Sequence, residues 1–245
     1  MMRVHTLVAV DWNAYDAVLF DLDGVITPTA DVHMHAWDRM FNDFLTSRAI
    51  DEPYTDEDYY AYVDGKPRYD GVRSFLASRG IIVAEGTPDD DPAEETVCGL
   101  GNRKNAMFNS VLSEQGIAPY PGSLELMNRL RALEMPMAIV SSSRNAGDVL
   151  NVAGIRDYFG ALVDGRAADA GELPGKPAPD TFVQAARELG ATPEGCVVFE
   201  DAISGVEAGR AGGFACVIGV DRGAGAIALS NAGAHQVVTD LSELL

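Results

Sequence analysis

Cysteine is scarce in this chain, and positive charge is scarce relative to negative. The 245 residues include three cysteines, Cys98, Cys196 and Cys216. The number is odd and the spacing is not that of a metal-ligand cluster, which excludes a disulfide-stapled scaffold and points to reduced structural thiols in a cytoplasmic setting. Lys and Arg total 18 against 37 Asp and Glu, a formal charge of -19. Such a surface repels phosphate backbones and anionic headgroups, so neither nucleic acid nor a membrane is an expected partner. No apolar run approaches the roughly 18 residues of a membrane-spanning helix. The opening "MMRVHTLVAVDWNAYD" has a short apolar patch, but Asp11 and Trp12 interrupt it and a small-residue cleavage site is missing, which argues against a secretory signal. Internal repeats and low-complexity tracts are also lacking.

What is present is enough apolar material, 47% of the residues, for one large core with a smaller satellite. Four continuous apolar runs end in polar or glycine-rich turns: "AVLFD" (17–21), "MAIVSSS" (137–143), "CVVFED" (196–201) and "ACVIGV" (215–220). Runs of this kind suit strands buried on both faces. Helical patterns alternate with them at 123–134, 145–154, 179–190 and 204–213, each closing near a glycine. The alternation predicts an α/β fold: a Rossmann-like, three-layer core with a parallel sheet, whose ligand crevice lies at the carboxyl ends of the strands. Between the first and second runs the rhythm breaks. The stretches 30–48 and 101–116 read as helices, "DEPYTDEDYY" and "EGTPDDDPAEE" as solvated acidic loops, and no core strand is evident. The expected organisation is a core of residues 1–30 and 118–245 with a helical cap inserted at 31–117, hinged near 27–30 and 118–122. A monomer is expected, since no apolar surface patch stands out.

Each strand end carries a chemically loaded group. Asp21 and Asp23 follow the first run at alternate positions. An isolated pair of this kind also reads as a helix cap plus a turn residue, and the other strand ends decide between the two. After the second run, Ser141, Ser142, Ser143, Arg144 and Asn145 offer hydroxyls and main-chain amides at the start of a helix, an anion cradle. In "GKPAPD", two prolines stiffen the loop that presents Lys176. Glu200 and Asp201 end a further run. Carboxylates converging in this way repel unless a divalent cation joins them, and oxygen-only ligation with room for water and a phosphate suits Mg²⁺.

This combination resembles the haloacid dehalogenase-like superfamily and, within it, the β-phosphoglucomutase group with a small helical cap. The motifs are "FDLDGVITPTA", "SSSRN", "GKPAPD" and "FEDAISGV" in the core, and "HMHAW", "GKPRYDGV" and "NRKN" in the cap. The resemblance implies that Asp21 is the nucleophile and Asp23 the general acid and base, with Mg²⁺ on Asp21, the Asp23 backbone carbonyl, Glu200 and Asp201. Ser141 and Lys176 would hold the transferring phosphoryl group. His33 matches a hinge-side histidine, Arg68 the substrate arginine, and Lys104 and Asn105 cap residues near the sugar. Ser143, Arg144 and Asn145, in the cradle shared with Ser142, match residues at the distal phosphate. The implied substrate is a small phosphorylated sugar, and the implied activity a phosphomutase or, with water as acceptor, a phosphatase. Trp37 and Phe41, at helical spacing, read as cap core. The chain departs from the group in placing Asp64 where a lysine precedes the cap glycine, with Lys66 just beyond it. Pro28 replaces a commonly acidic hinge residue, and 82–99 is an acidic insertion.

Overall fold

The computed structural model describes residues 10–245; positions 1–9, on which much of the leader reading falls, lie outside the described residues. Six strands, β1 (Ala17–Phe20), β2 (Met137–Val140), β3 (Ala161–Val163), β4 (Cys196–Glu200), β5 (Cys216–Val220) and β6 (Gln236–Val238), form one sheet in the order 3-2-1-4-5-6. Every neighbouring pair is parallel. The fold is α/β and Rossmann-like. β1, β2 and β4 are buried at every position, which is why their sequences are unbroken apolar runs. On one face Leu19, Val140 and Val198 pack with Phe182 and Ala185 of helix Asp180–Glu188 and with Val206 of helix Ile203–Ala211. On the other face Phe20 and Phe199 stack at 4.9 Å.

Several boundaries move for local reasons. The second run stops as a strand at Val140: the Ser141 amide still donates to Val163 O of β3, but the Ser143 amide turns back onto Ser141 Oγ. The stretch 118–122, read as a hinge, already starts helix Pro121–Ala132 at Pro121, where the missing N–H costs nothing. β3 and β6, three residues each, were not anticipated; they flank the sheet and are too short for a periodic signal.

The chain divides into two compact units, one reaching Pro28 and resuming over Ala118–Leu245, the other Thr29–Ile117. The second unit holds helices Thr29–Ser47, Arg68–Ser78 and Val97–Gln115. The middle one is an addition to the two helical stretches read from sequence. Its core is aromatic: Trp37 stacks on Phe41 at 5.3 Å, and Phe41 lies 4.2 Å from Phe75. The run 51–60 is not the solvated loop expected of it. Thr55 and Asp58 cap each other reciprocally, a helical turn at Asp56–Asp58 passes into a π-helical turn at Tyr59–Val63, and Tyr54 and Tyr59 are buried in the aromatic core. The tyrosines outweigh the acids because the Tyr54 ring packs against Phe41 and Phe75 and Tyr59 joins the same core, while Asp56 and Glu57 stay exposed in the capped turn. The other acidic run, 85–95, is exposed as expected at nearly every position. Among the described residues, no helix is long and apolar enough to cross a membrane.

Candidate active site

In the strand order the chain switches direction between β1 and β4, the position where open parallel sheets leave a crevice beyond their carboxyl ends. Asp21 follows β1 directly, and its amide still donates to Phe199 O of β4 at 2.9 Å, so its backbone is fixed by the sheet. Glu200 is the last residue of β4. Lys176, which precedes Pro177 through a cis peptide bond, donates from Nζ to Asp21 Oδ1 at 2.5 Å, to Val140 O at 3.2 Å and to both Glu200 oxygens at 3.4 Å. Ser141, one residue past β2, donates to Asp23 Oδ2 at 3.2 Å and accepts the Ser143 amide at 3.0 Å. The ends of β1, β2 and β4 and the loop before helix Asp180–Glu188 thus bring together Asp21, Asp23, Ser141, Lys176 and Glu200.

Asp23 stands in a tight turn. Leu22 O accepts the amides of Ile26 and Thr27, and Gly24 N donates to Thr27 O at 2.8 Å. Gly24 has φ +84°, and a Cβ there would meet Asp201 Oδ2 at 1.8 Å, so glycine is needed both for the backbone and for the approach of Asp201. From beyond β5, Arg222 donates through Nε to Gly24 O and through Nη1 to Thr239 O, both at 2.9 Å, and its guanidinium lies 3.9 Å from the centre of the Tyr120 ring. This brace on the aspartate turn was not read from the sequence. An arginine just past a strand end was the one available signal.

The electrostatics are dominated by burial. Burial pushes the Asp21 carboxyl up to about 6, with Lys176 opposing the rise and the Asp23 charge adding to it. The same burial works against the Lys176 ammonium, but the Asp21 and Glu200 carboxylates outweigh it and hold its pKa above the ordinary lysine value. Oxygens of Asp21, Glu200 and Asp201 all lie within 4.8 Å of one another. With Asp23 beside them, these acids outnumber the one buried ammonium, and every donor is a hard oxygen. The set fits a small divalent cation, which would restore the charge balance.

The cradle after β2 is partly formed. The Asn145 amide donates to Ser143 Oγ at 3.2 Å, and Asn145 is buried, while Ser142 and Ser143 are half-buried. Arg144 turns to an ion pair with Asp169 of helix Gly165–Ala170.

Within the second unit, two groups form on helix Val97–Gln115. Arg68 donates through Nη2 to Asn105 Oδ1 at 2.7 Å and through Nη1 to Asn102 Oδ1 at 3.4 Å. His33 stacks on Phe108 at 4.0 Å and its Nδ1 meets Lys104 Nζ, and that ammonium lies 5.0 Å from the Trp37 ring centre and 5.3 Å from that of Phe108. Lys104 is almost wholly buried. Trp37 therefore serves the cap core and also faces a cation. Lys66 donates to Ser74 of the Arg68–Ser78 helix at 2.8 Å. Asn102 opens the "NRKN" motif but is given no role from sequence, because nothing local shows which groups its amide meets.

A family profile for haloacid dehalogenase-like hydrolases matches residues 15–213. The chain belongs to that family. A β-phosphoglucomutase of Mycobacterium tuberculosis is 49% identical over 238 residues, covering 94% of this chain and 91% of the relative. One from Bacillus subtilis is 34% identical, over 93% of this chain and 91% of the relative. The crystal structure of a Clostridium difficile β-phosphoglucomutase aligns with a TM-score of 0.75 and 26% identity, covering 94% of this chain and 93% of that one. Within the haloacid dehalogenase-like family this chain falls in the β-phosphoglucomutase-like group, and it is an enzyme of the phosphomutase or phosphatase kind.

Proposed function

We propose that the protein is a Mg²⁺-dependent sugar-phosphate mutase that converts β-glucose 1-phosphate to glucose 6-phosphate through an aspartyl phosphate. The observation that carries this reading is the buried contact of Lys176 with both Asp21 and Glu200, which gathers nucleophile, cation and metal-side acid into one cluster. The near-half identity to a β-phosphoglucomutase over most of the chain supports the choice of substrate.

In this reading a carboxylate oxygen of Asp21 attacks one phosphorus of the bisphosphorylated sugar, leaving the other phosphate on the product. The phosphorus–oxygen bond to the sugar breaks, and Asp23 gives its proton to the leaving oxygen. In the second half-reaction a hydroxyl of β-glucose 1-phosphate attacks the aspartyl phosphate, Asp23 takes the hydroxyl proton, the bond to Asp21 breaks, and the bisphosphorylated sugar is regenerated. Ser141 orients Asp23, as its hydrogen bond to Oδ2 allows, and with Lys176 it holds the oxygens of the moving group. Asp21, the Asp23 carbonyl, Glu200 and Asp201 would hold Mg²⁺, which when bound neutralises charge on the phosphoryl oxygens. Arg68 would grip the phosphate that is not being transferred, with His33, Lys104, Asn105, Ser142, Ser143, Arg144 and Asn145 completing the selection of a phosphorylated sugar. Catalysis is assigned to the unit that contains the sheet, and substrate selection chiefly to the helical one. The three free cysteines accord with a cytoplasmic enzyme, and a net charge of -19 with a monomer.

The test is to incubate the protein with β-glucose 1-phosphate, Mg²⁺ and a trace of the bisphosphate and to follow glucose 6-phosphate against free phosphate. The mutase reading requires isomer without phosphate release. Phosphate release that outpaces isomer formation makes the protein a phosphatase instead.

A further inference from the structure

The acidic insertion reaches Arg68 through one side chain. Asn102, in the second turn of helix Val97–Gln115, donates both amide hydrogens to backbone carbonyls of the insertion, Pro88 O at 3.0 Å and Asp90 O at 2.9 Å. Only an NH₂ group can satisfy two carbonyl oxygens, so the orientation of the amide is fixed and Oδ1 must face the other way. There it accepts from Tyr69 Oη at 3.0 Å and from Arg68 Nη1 at 3.4 Å.

The insertion is itself a folded element. Asp90 accepts the Thr87 amide at 3.0 Å, the Thr87 hydroxyl at 2.8 Å and the Thr96 hydroxyl at 2.5 Å, while Thr96 caps the helix by accepting the Gly99 amide at 2.9 Å. Arg103 fastens the far side of the loop through Pro92 O at 2.7 Å and Ala93 O at 3.2 Å. The helix is shaped to receive both neighbours. A Cβ at position 99 would strike Glu94 O at 2.4 Å, and one at position 101 would strike the Tyr69 ring at 2.8 Å, so the glycines in "GLGN" seat the loop on one side of Asn102 and Tyr69 on the other.

We propose that Asn102 is a positioning residue through which the 85–96 loop sets the direction of the Arg68 guanidinium and thereby the enzyme's grip on the second phosphate of its substrate. The proposal rests on the role given to Arg68 above. A planar guanidinium holds phosphate well only when its fork is aimed. Asn102 and Asn105 accept from the two arms of that fork through neutral amide oxygens, one on each Nη.

The test measures kcat and KM for β-glucose 1-phosphate isomerisation in Asn102→Ala and Asp90→Ala, each in the natural background and combined with Arg68→Ala. The loop variant sits in a solvent-facing segment and carries the test if Asn102→Ala does not fold. Each single variant is expected to raise KM about five- to tenfold, the scale of one or two lost hydrogen bonds, with a much smaller change in kcat, and neither should raise it further once Arg68 is gone. An unchanged KM in the singles, or the same KM rise with and without Arg68, overturns the relay. If Arg68→Ala itself leaves KM unaltered, the phosphate-gripping role of Arg68 fails and the relay falls with it, an outcome recognisable from the Arg68→Ala arm alone.

Discussion

In the sheet-containing unit a single ammonium, Lys176, is buried among acids, and its partners Asp21 and Glu200 are as deeply enclosed as it is. In the helical unit Arg48, Arg73 and Arg79 pair with carboxylates, but amide oxygens accept from Arg68, and an imidazole and two aromatic faces meet Lys104. Both arrangements occur in a chain of net charge -19. The first leaves an excess of negative charge that calls for a metal ion. The second sets neutral oxygens and aromatic faces against two of its cations. Local pairing, more than overall composition, decides what each unit can bind.

Asp21→Asn should break the comparison most severely. It removes the carboxylate proposed as nucleophile, so transfer to sugar or to water should fall by at least about ten-thousand-fold, while the helical unit's cations are left in place. Survival of turnover in a rate assay would show that another group attacks. Lys176→Met comes next. It leaves Asp21 and Glu200 buried without their counter-ion, and the expected loss is about 3–5 kcal/mol of stability together with most of the activity, measured by denaturant unfolding without metal. An undiminished midpoint would mean that the acids find their compensation elsewhere. Arg68→Ala should sharpen the contrast: KM for the phosphosugar rises about ten- to a hundredfold, the scale of a charged hydrogen-bonded contact, and hydrolysis of a small monophosphate changes far less. Equal losses would take Arg68 out of the grip.

Legibility from sequence followed the same division. β1, β2, β4 and β5 are legible because burial on both faces demands unbroken apolar runs, and Asp21, Ser141 and Glu200 sit at or one residue past the ends of the first three. The run ends point to Asp21, Ser141 and Glu200, and the stiff proline loop to Lys176; the structure sets Lys176 within hydrogen-bonding reach of Asp21 and Glu200 and Ser141 within reach of Asp23. The edge strands Ala161–Val163 and Gln236–Val238 escaped notice because three residues do not establish a period. The helix beginning at Arg68 was obscured by the Pro67 before it and by Gly71 within it, where the close approach of Val63 leaves little room for a side chain. In "DEPYTDEDYY" the acids dominated the reading although the tyrosines set the packing. Arg222 and Asn102 act by bonding backbone carbonyls far away in sequence, Gly24 O in one case and Pro88 O and Asp90 O in the other, and no local pattern encodes such contacts.

The central claim is that phosphoryl transfer passes through Asp21. The most direct measurement is to quench the enzyme during turnover of β-glucose 1-phosphate, reduce it with borohydride and map the product by peptide mass spectrometry. The account predicts homoserine in place of aspartate at position 21 and unmodified aspartate at position 23. Reduction at position 23, at another residue, or at none while turnover proceeds would contradict it.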